Sequence, residues 1–277
     1  MRILALVDGE HYPAVVRSAL GTLPGTVVAA VLVGGGEKLP LSGEIDLGVP
    51  VRRGEDAEAT LVAALTELWP DLVHDLADEP VLDARRRMRL AAVSLAHGVP
   101  YAGADYRFDP PPRPRLATKP SVAVVGTGKR TGKTAVAASL ARLLRERGTP
   151  PVLVTMGRGG PDEPEIVDPA TFDLTPSGLL ELARSGRHAA SDHLEDALVA
   201  GVTTVGTRRC GGGLAGAPGD DTFAAGVAVA NVRPEGLILF EGSGAALPPA
   251  AADATVCVIP ADVDGELLGG YLGSYRV

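Results

Sequence analysis

Aromatic side chains are scarce in this chain: four Phe, five Tyr and one Trp make up 4% of the residues. A surface that binds nucleic acid by stacking bases on aromatic rings is therefore not expected. Cysteine is scarcer still. Cys210 and Cys257 stand far apart without metal-ligand spacing, which leaves neither a disulfide framework nor a zinc module and points to reduced thiols in a cytoplasm. No apolar run nears the ~20 residues that span a bilayer. The apolar start Met1-Arg-Ile-Leu-Ala-Leu-Val7 is cut short by Asp8-Gly9-Glu10, so no signal peptide is expected. A surplus of positive charge is missing too. The net charge is −8 and the pI near 5.2, which disfavours nonspecific attraction to nucleic acid or an anionic membrane.

What is present is length and small apolar side chains. The chain has 277 residues, room for two domains of ordinary size, and 45% of them are hydrophobic. Strands alternate with helices. Apolar runs at 3–7, 27–33 and 72–76, with a weak one at 49–52, read as strands. Helical periods cover 13–20, 56–68 and 81–97. Such alternation implies crossover connections and a parallel sheet. Asp109-Pro-Pro-Pro-Arg-Pro-Arg115 continues neither a helix nor a central strand, so the domain boundary is placed there, giving 1–112 and 113–277. In the second part, strands are expected at 151–156, 202–206, 237–240 and 255–259. Helices are expected at 178–185 with Ser177 as cap, at about 191–200, and at 222–231.

One stretch carries the chemistry. Val122-Ala-Val-Val-Gly-Thr-Gly-Lys-Arg-Thr-Gly-Lys-Thr134 reads as strand, glycine turn and helix start. Glycines let backbone N–H groups face a polyanion, and the helix N-terminus adds unpaired donors and a partial positive charge. Thr127 occupies the first glycine position of the usual phosphate-loop pattern, flanked by Gly126 and Gly128, with Thr131 and Gly132 completing the turn. Lys133 can reach terminal phosphates, and the Thr134 hydroxyl suits Mg2+. Around it charge is segregated. From Arg113 to Arg147 the only acid is Glu146, as a site for phosphorylated small molecules requires.

Further polar clusters fall just past predicted strand ends, the edge where open parallel sheets bind ligands. Glu241, followed by Gly242-Ser243-Gly244, can serve a Mg2+ opposite Thr134 or cap the turn. Arg208 and Arg209, ahead of a glycine run, offer bidentate donors to phosphate or form an exposed pair. Arg158 sits between glycines with the same two readings. Glu163, with Asp162 and Glu165, supplies a second metal ligand or a solvated acidic loop. Asp8, Glu10 and His11 end the first strand and matter only if a cleft brings them to the phosphates. Cys210 reads as a packing residue.

With these residues in view, the chain resembles the cyclic 2,3-diphosphoglycerate synthetase family. The matching segments are Asp8-Gly-Glu-His-Tyr-Pro13, Tyr101-Ala-Gly-Ala-Asp-Tyr106, Gly126 to Thr134, Met156-Gly-Arg-Gly-Gly-Pro161, Arg208-Arg-Cys-Gly-Gly-Gly213 and Phe240-Glu-Gly-Ser-Gly244. The phosphate loop and the Glu-Gly-Ser-Gly step are also similar to dethiobiotin synthetase, which matches only the second half. The resemblance implies an α/β fold in two domains, a small Rossmann-like parallel sheet followed by a three-layer α/β/α domain of the P-loop NTPase type. It implies a cytoplasmic, ATP- and Mg2+-dependent ligase, with a homodimer suggested by the family class. Its substrate would be small and phosphorylated, 2,3-bisphosphoglycerate, closed into an intramolecular phosphoanhydride with release of ADP and phosphate. Lys133, Thr134 and Glu241 would hold ATP and Mg2+, and Lys129, Arg130, Arg158, Arg208 and Arg209 would oppose the substrate phosphates. The alternatives are a dethiobiotin-synthetase-like ligase and a catalytically silent ATP-binding remnant. Members of the family run past the last strand read here, so a shortened relative or a fragment is expected.

Overall fold

The apolar run at the amino terminus becomes β1 (Arg2–Val7), buried from Ile3 onward between two parallel neighbours, β2 (Thr26–Leu32) and β4 (Leu72–Asp75). Burial on both faces is why its sequence is continuously apolar rather than alternating. The computed structural model describes residues 1–39, 45–189 and 191–270. With β3 (Val51–Arg52), β5 (Tyr101–Ala102) and β6 (Arg107–Phe108), the first sheet has the order β3-β2-β1-β4-β5-β6, and β6 alone is antiparallel to its neighbour.

Three helices flank this sheet: α1 (Pro13–Leu20), α2 (Ala57–Leu68) and α3 (Ala84–Ala96). Pro13 opens α1 at a position where its missing N–H is harmless. The Asp56 side chain caps α2 by accepting from the Glu58 N–H. Asp83 does the same for α3 through the Arg86 N–H, which starts this helix three residues later than the apolar period predicts. Val81 and Leu82 are buried in the turn before it.

The chain divides into two compact units, Met1–Pro110 with a segment that begins at Asp264, and Pro111–Val263. The division falls inside the proline-rich stretch. The segment from Asp264, which the sequence reading assigns to the second part, forms the short helix α8 (Gly265–Gly269) against α3. Residues 271–277, the end of the predicted second domain, lie outside the described residues.

The second sheet is built on β7 (Ser121–Gly126), β8 (Pro151–Gly157), β10 (Thr204–Cys210), β12 (Leu237–Glu241) and β13 (Ala254–Val258), all parallel, in the order β10-β8-β12-β7-β13. Two short antiparallel strands, β9 (Glu165–Val167) and β11 (Asp220–Asp221), pair successive halves of the free edge of β10. Neither was expected, because two or three residues cannot display an alternation.

Helices cover both faces. Alternate residues Ala123, Val125, Val152, Val154, Ile238 and Phe240 pack on Phe223 and Val227 of α7 (Phe223–Asn231). Val124, Leu153 and Leu239 point the other way, onto Ala137, Ala138 and Ala141 of α4 (Lys133–Glu146) and Ala200 of α6 (Asp192–Ala200). Alanines on α4 let it lie close to the strands. The remaining helix, α5 (Pro176–Arg184), is capped by Thr175, which accepts from the Gly178 N–H at 3.2 Å, rather than by Ser177. Both sheets are thus mostly parallel within an α/β architecture. No helix among the described residues is long and apolar enough to cross a membrane.

Candidate active site

The glycine-rich turn occupies the link from β7 to α4, at the carboxyl edge of the second sheet. A side chain at Gly126 would stand 2.6 Å from Thr131 Oγ1 and 3.0 Å from the Val258 carbonyl, so the turn closes only around glycine there. Gly132 caps α4 with φ 99°, in the left-handed region. Lys133 is buried to 7% exposure and donates from Nζ to the Gly128 carbonyl at 2.6 Å. Burial lowers the pKa of its ammonium, an effect that the nearby charges of Glu241 and Asp192 oppose. Lys129 and Arg130 are exposed at the mouth of a cavity of about 920 Å³ that the turn helps to line.

Across this cavity stands Glu241, the last residue of β12 and 3% exposed. Thr134 Oγ1 donates to its Oε1 at 2.8 Å, while Oε2 has no hydrogen-bond partner among the described residues. Burial raises the Glu241 carboxyl pKa above the usual range. A buried carboxylate oxygen without a donor, next to a threonine hydroxyl at a helix start, is the donor chemistry that a hard divalent cation takes. The residues present therefore fit Mg2+.

Three carboxylates that the sequence reading passed over share this neighbourhood. Asp192 and Glu195, in the first turn of α6, line the cavity with Thr155 and His188. Asp196, one turn on, is fully buried with its carboxyl against that of Glu241 and beside Thr155. Burial drives its pKa well above the ordinary value, with the Glu241 charge adding to the shift. The one signal in the sequence is phase: Asp196 falls between Leu194 and Ala197, on the face of α6 that is buried.

The arginine pair separates. The sequence reading ends the strand at Gly206 and places both arginines on an open loop. Instead β10 continues to Cys210, so successive side chains take opposite faces. Val205 and Thr207 face α7: Val205 packs with Phe223 and Val227, and the Thr207 methyl abuts Gly226. Arg209 shares their parity. It is 9% exposed, donates from Nη2 to the Ser243 carbonyl at 2.8 Å and from Nη1 to the Gly211 carbonyl. Arg208 emerges on the α6 side and forms an ion pair with Asp162, away from the cavity lining. Arg158, at the end of β8, is exposed and lines both the large cavity and a second one of about 470 Å³.

Glu163 is exposed on the turn between Pro161 and Pro164 and is not among the residues that line either cavity. Asp8 accepts from His11 Nδ1 at 2.8 Å and from the Asp78 N–H at 2.7 Å, and Glu10 accepts from the Gly36 N–H. These three residues tie loops within their own unit. No group of three or more His, Cys, Asp or Glu among the described residues is arranged to hold a metal ion by itself.

Comparison with known proteins follows the same lines. Residues 2–109 match the family model for the cyclic 2,3-diphosphoglycerate synthetase N-terminal domain, and residues 121–277 match that for the P-loop domain of the same enzyme. The cyclic 2,3-diphosphoglycerate synthetase of Thermococcus gammatolerans is 50% identical over 99% of this chain, and that of Rubrobacter xylanophilus 46% identical over 100%. The chain spans 63% of the length of each of these two relatives. A solved structure of a DUF1611 family protein from Anabaena variabilis aligns at 16% identity over 88% of this chain and 66% of that one, with a TM-score of 0.26, too low to bear on the fold. Two family models, matched in chain order and together taking in nearly all of the sequence, place the chain in the cyclic 2,3-diphosphoglycerate synthetase family.

Proposed function

We propose that this chain binds ATP at the β7–α4 turn and carries an ATP-dependent synthetase activity on 2,3-bisphosphoglycerate, giving cyclic 2,3-diphosphoglycerate, ADP and phosphate. In this reading the first unit is a Rossmann-like domain and the second a three-layer domain of the P-loop NTPase type, joined at the proline segment. The setting is cytoplasmic, the substrate small and phosphorylated, and the assembly a homodimer. The observation that carries the reading is the convergence of Lys133, Thr134, Glu241, Arg158 and Arg209 on one sheet edge.

Thr134 and Glu241 would hold Mg2+, with Asp192 within the same cavity in the place that the sequence reading gave to Glu163. The cation supplies charge neutralisation of the polyphosphate. Lys133, released from the Gly128 carbonyl, would hold the terminal phosphates, with N–H groups of the turn around them. One substrate phosphate oxygen then bonds to the γ-phosphorus as the β–γ bridging bond breaks and ADP leaves. An oxygen of the other substrate phosphate next bonds to the activated substrate phosphorus. The bond to the transferred phosphoryl group breaks, and inorganic phosphate departs.

No protein nucleophile is needed. The difficulty is electrostatic, since two phosphate charges held at ~5 Å repel by roughly 3 kcal/mol per pair at an effective dielectric near 20. Arg158 and Arg209 are placed to oppose it, with Lys129 and Arg130 at the mouth. Positioning and charge neutralisation are the main catalytic contributions, as in other phosphoryl transfers.

Incubation with Mg-ATP and 2,3-bisphosphoglycerate, followed by phosphorus NMR, tests the reading. Cyclic product with stoichiometric ADP and phosphate is expected. ADP release only with a diamine and bicarbonate would replace it with a dethiobiotin-synthetase-like ligase. Tight ATP binding without any turnover would leave a silent nucleotide-binding remnant.

A further inference from the structure

The smaller cavity lies on the α7 side of the sheet edge, and its lining includes Arg158, Arg209, Gly211, Ala245 and Ala246. Its chemistry is one-sided. Arg209 is nine-tenths buried, yet only carbonyls receive its N–H groups, and its Nε has no partner among the described residues. Neither Arg209 nor Arg158 is bridged by a carboxylate among the described residues. Asp192, which Arg209 feels electrostatically, lines the other cavity.

The two guanidiniums also converge. A Cβ built on Gly244, whose φ is 62°, would stand 3.0 Å from Arg158 Nη2 and 3.2 Å from Arg209 Nη2. Two like charges brought to one point, one of them nine-tenths buried, with a glycine keeping that point open, are an arrangement that an anion completes. The remaining lining is small and apolar, without an aromatic face or a side-chain amide for a nucleobase.

We propose that this cavity is a phosphoryl-binding subsite separate from the nucleotide cradle, and that Gly244, which lines the larger cavity next to Ala245 of the smaller one, is the specificity-determining position that keeps the junction between them open beside the two guanidiniums. For the identity of the ligand it rests on the function proposed above, and it assigns the pocket to the substrate phosphate that is not activated. Arg158, which lines both cavities, joins the two phosphates across the sheet edge. The division of labour differs from one in which Arg208 and Arg209 act as a pair. Only Arg209 serves the subsite.

Calorimetric titration of the full chain with 2,3-bisphosphoglycerate, inorganic phosphate and a non-hydrolysable ATP analogue tests this, using Gly244→Ala and Arg209→Lys. Gly244→Ala keeps every cation and both carbonyl partners of Arg209, so it separates crowding of the two guanidiniums from loss of charge. Arg209→Lys keeps the charge and loses the fork. Each variant should bind bisphosphoglycerate at least ~10-fold more weakly, and Arg209→Lys, whose side chain is outside the nucleotide cavity lining, should hold the ATP analogue within ~2-fold of the parent. Equal losses for both ligands in Arg209→Lys, or bisphosphoglycerate affinity unchanged in both variants with parental melting temperatures, would overturn the subsite. Binding of inorganic phosphate that depends on Arg209, in a protein that forms no cyclic product, would uphold the subsite and sink the proposed reaction. Cyclic product formed by both variants at the parental kcat and KM would do the reverse.

Discussion

Removal of the Lys133 side chain separates the ligand-facing role of the cradle from its role in the fold. Besides a long contact to Thr131 Oγ1 at 3.5 Å, the ammonium makes one short hydrogen bond, to the Gly128 carbonyl at 2.6 Å, and is buried at a cost that lowers its pKa. Lys133→Ala loses that bond, worth about 1 kcal/mol net, and some packing of the methylene stem, but it also removes a desolvated charge. The balance should fall within ~2 kcal/mol, and at ~2–4 °C per kcal/mol for a chain of this size the melting temperature should move by less than ~8 °C. Catalysis should respond far more strongly. An ammonium ~4 Å from a phosphate charge contributes about 4 kcal/mol at an effective dielectric of 20, close to a factor of ~1000 in rate. A coupled assay for ADP formation with Mg-ATP and 2,3-bisphosphoglycerate, run beside thermal denaturation, reads both numbers. Turnover within ~10-fold of the parent would remove Lys133 from the mechanism, and melting lowered by more than ~8 °C would move it into the fold.

Glu241→Gln should abolish the rise in melting temperature that Mg2+ gives the parent, about 2.7 kcal/mol of stabilisation at 100 times the dissociation constant. An undiminished rise would show that the cation is held elsewhere. Asp75 accepts hydrogen bonds from Tyr101, Tyr106, Arg87 and the Ala77 N–H at 2.7–2.9 Å, so Asp75→Ala strands four donors in or near the core of the first unit. Urea denaturation should show a loss of about 3–5 kcal/mol, and a loss below ~1 kcal/mol would mean that the cluster is wet or rearranged. His74 is held below its ordinary pKa by burial, opposed by the Asp75 charge. Its folded form thus binds fewer protons than the unfolded chain, so its contribution is complete above the unfolded value of about 6.5 and is lost as pH falls below it. His74→Gln should therefore flatten the fall in stability between pH ~7 and ~5. A slope identical to the parent's would mean that His74 is solvated.

The cradle was legible because everything that makes it is local. Strand, turn and helix start are contiguous, and the glycines announce backbone approach without a tertiary contact. The arginines were legible as a phosphate-binding type but not in their direction. The apolar run stops at Gly206, whereas the Thr207 hydroxyl donates to the Thr155 carbonyl at 2.8 Å, and Asp220 and Asp221 pair across the edge to carry β10 on to Cys210. That register sends Arg209 inward and Arg208 outward, and no count of residue types could assign which. Glu163 was over-read for the opposite reason. An acid just past a strand end is common, and here flanking prolines carry it out to solvent. Asp192 and Asp196 went unnoticed because their meeting with Glu241 depends on how α6 lies over β8 and β10, a contact that no local pattern encodes.

The two cavities divide the charge of the sheet edge by the parity of its strands. Leu239 and Glu241 share a face of β12, and that face meets α4 and α6, so the buried acids Glu241 and Asp196 gather on one side. Thr207 and Arg209 share the opposite parity on β10, so the buried guanidinium appears on the α7 side. The larger pocket, where Glu241 and Asp192 face Lys129, Arg130, Lys133 and Arg158, suits a polyphosphate that arrives with its own cation. A guanidinium pocket attracts the small anion and offers nothing to a divalent ion. Lys133, between the acids and the arginines, feels Glu241 and Asp192 from one side and Arg158 and Arg209 from the other. The proposed transfer therefore has a built-in direction, from the cation-loaded nucleotide on the α6 side to the arginine-held acceptor on the α7 side. Exchanging the two polarities would lose both ligands at once, even with every phosphate-binding residue retained.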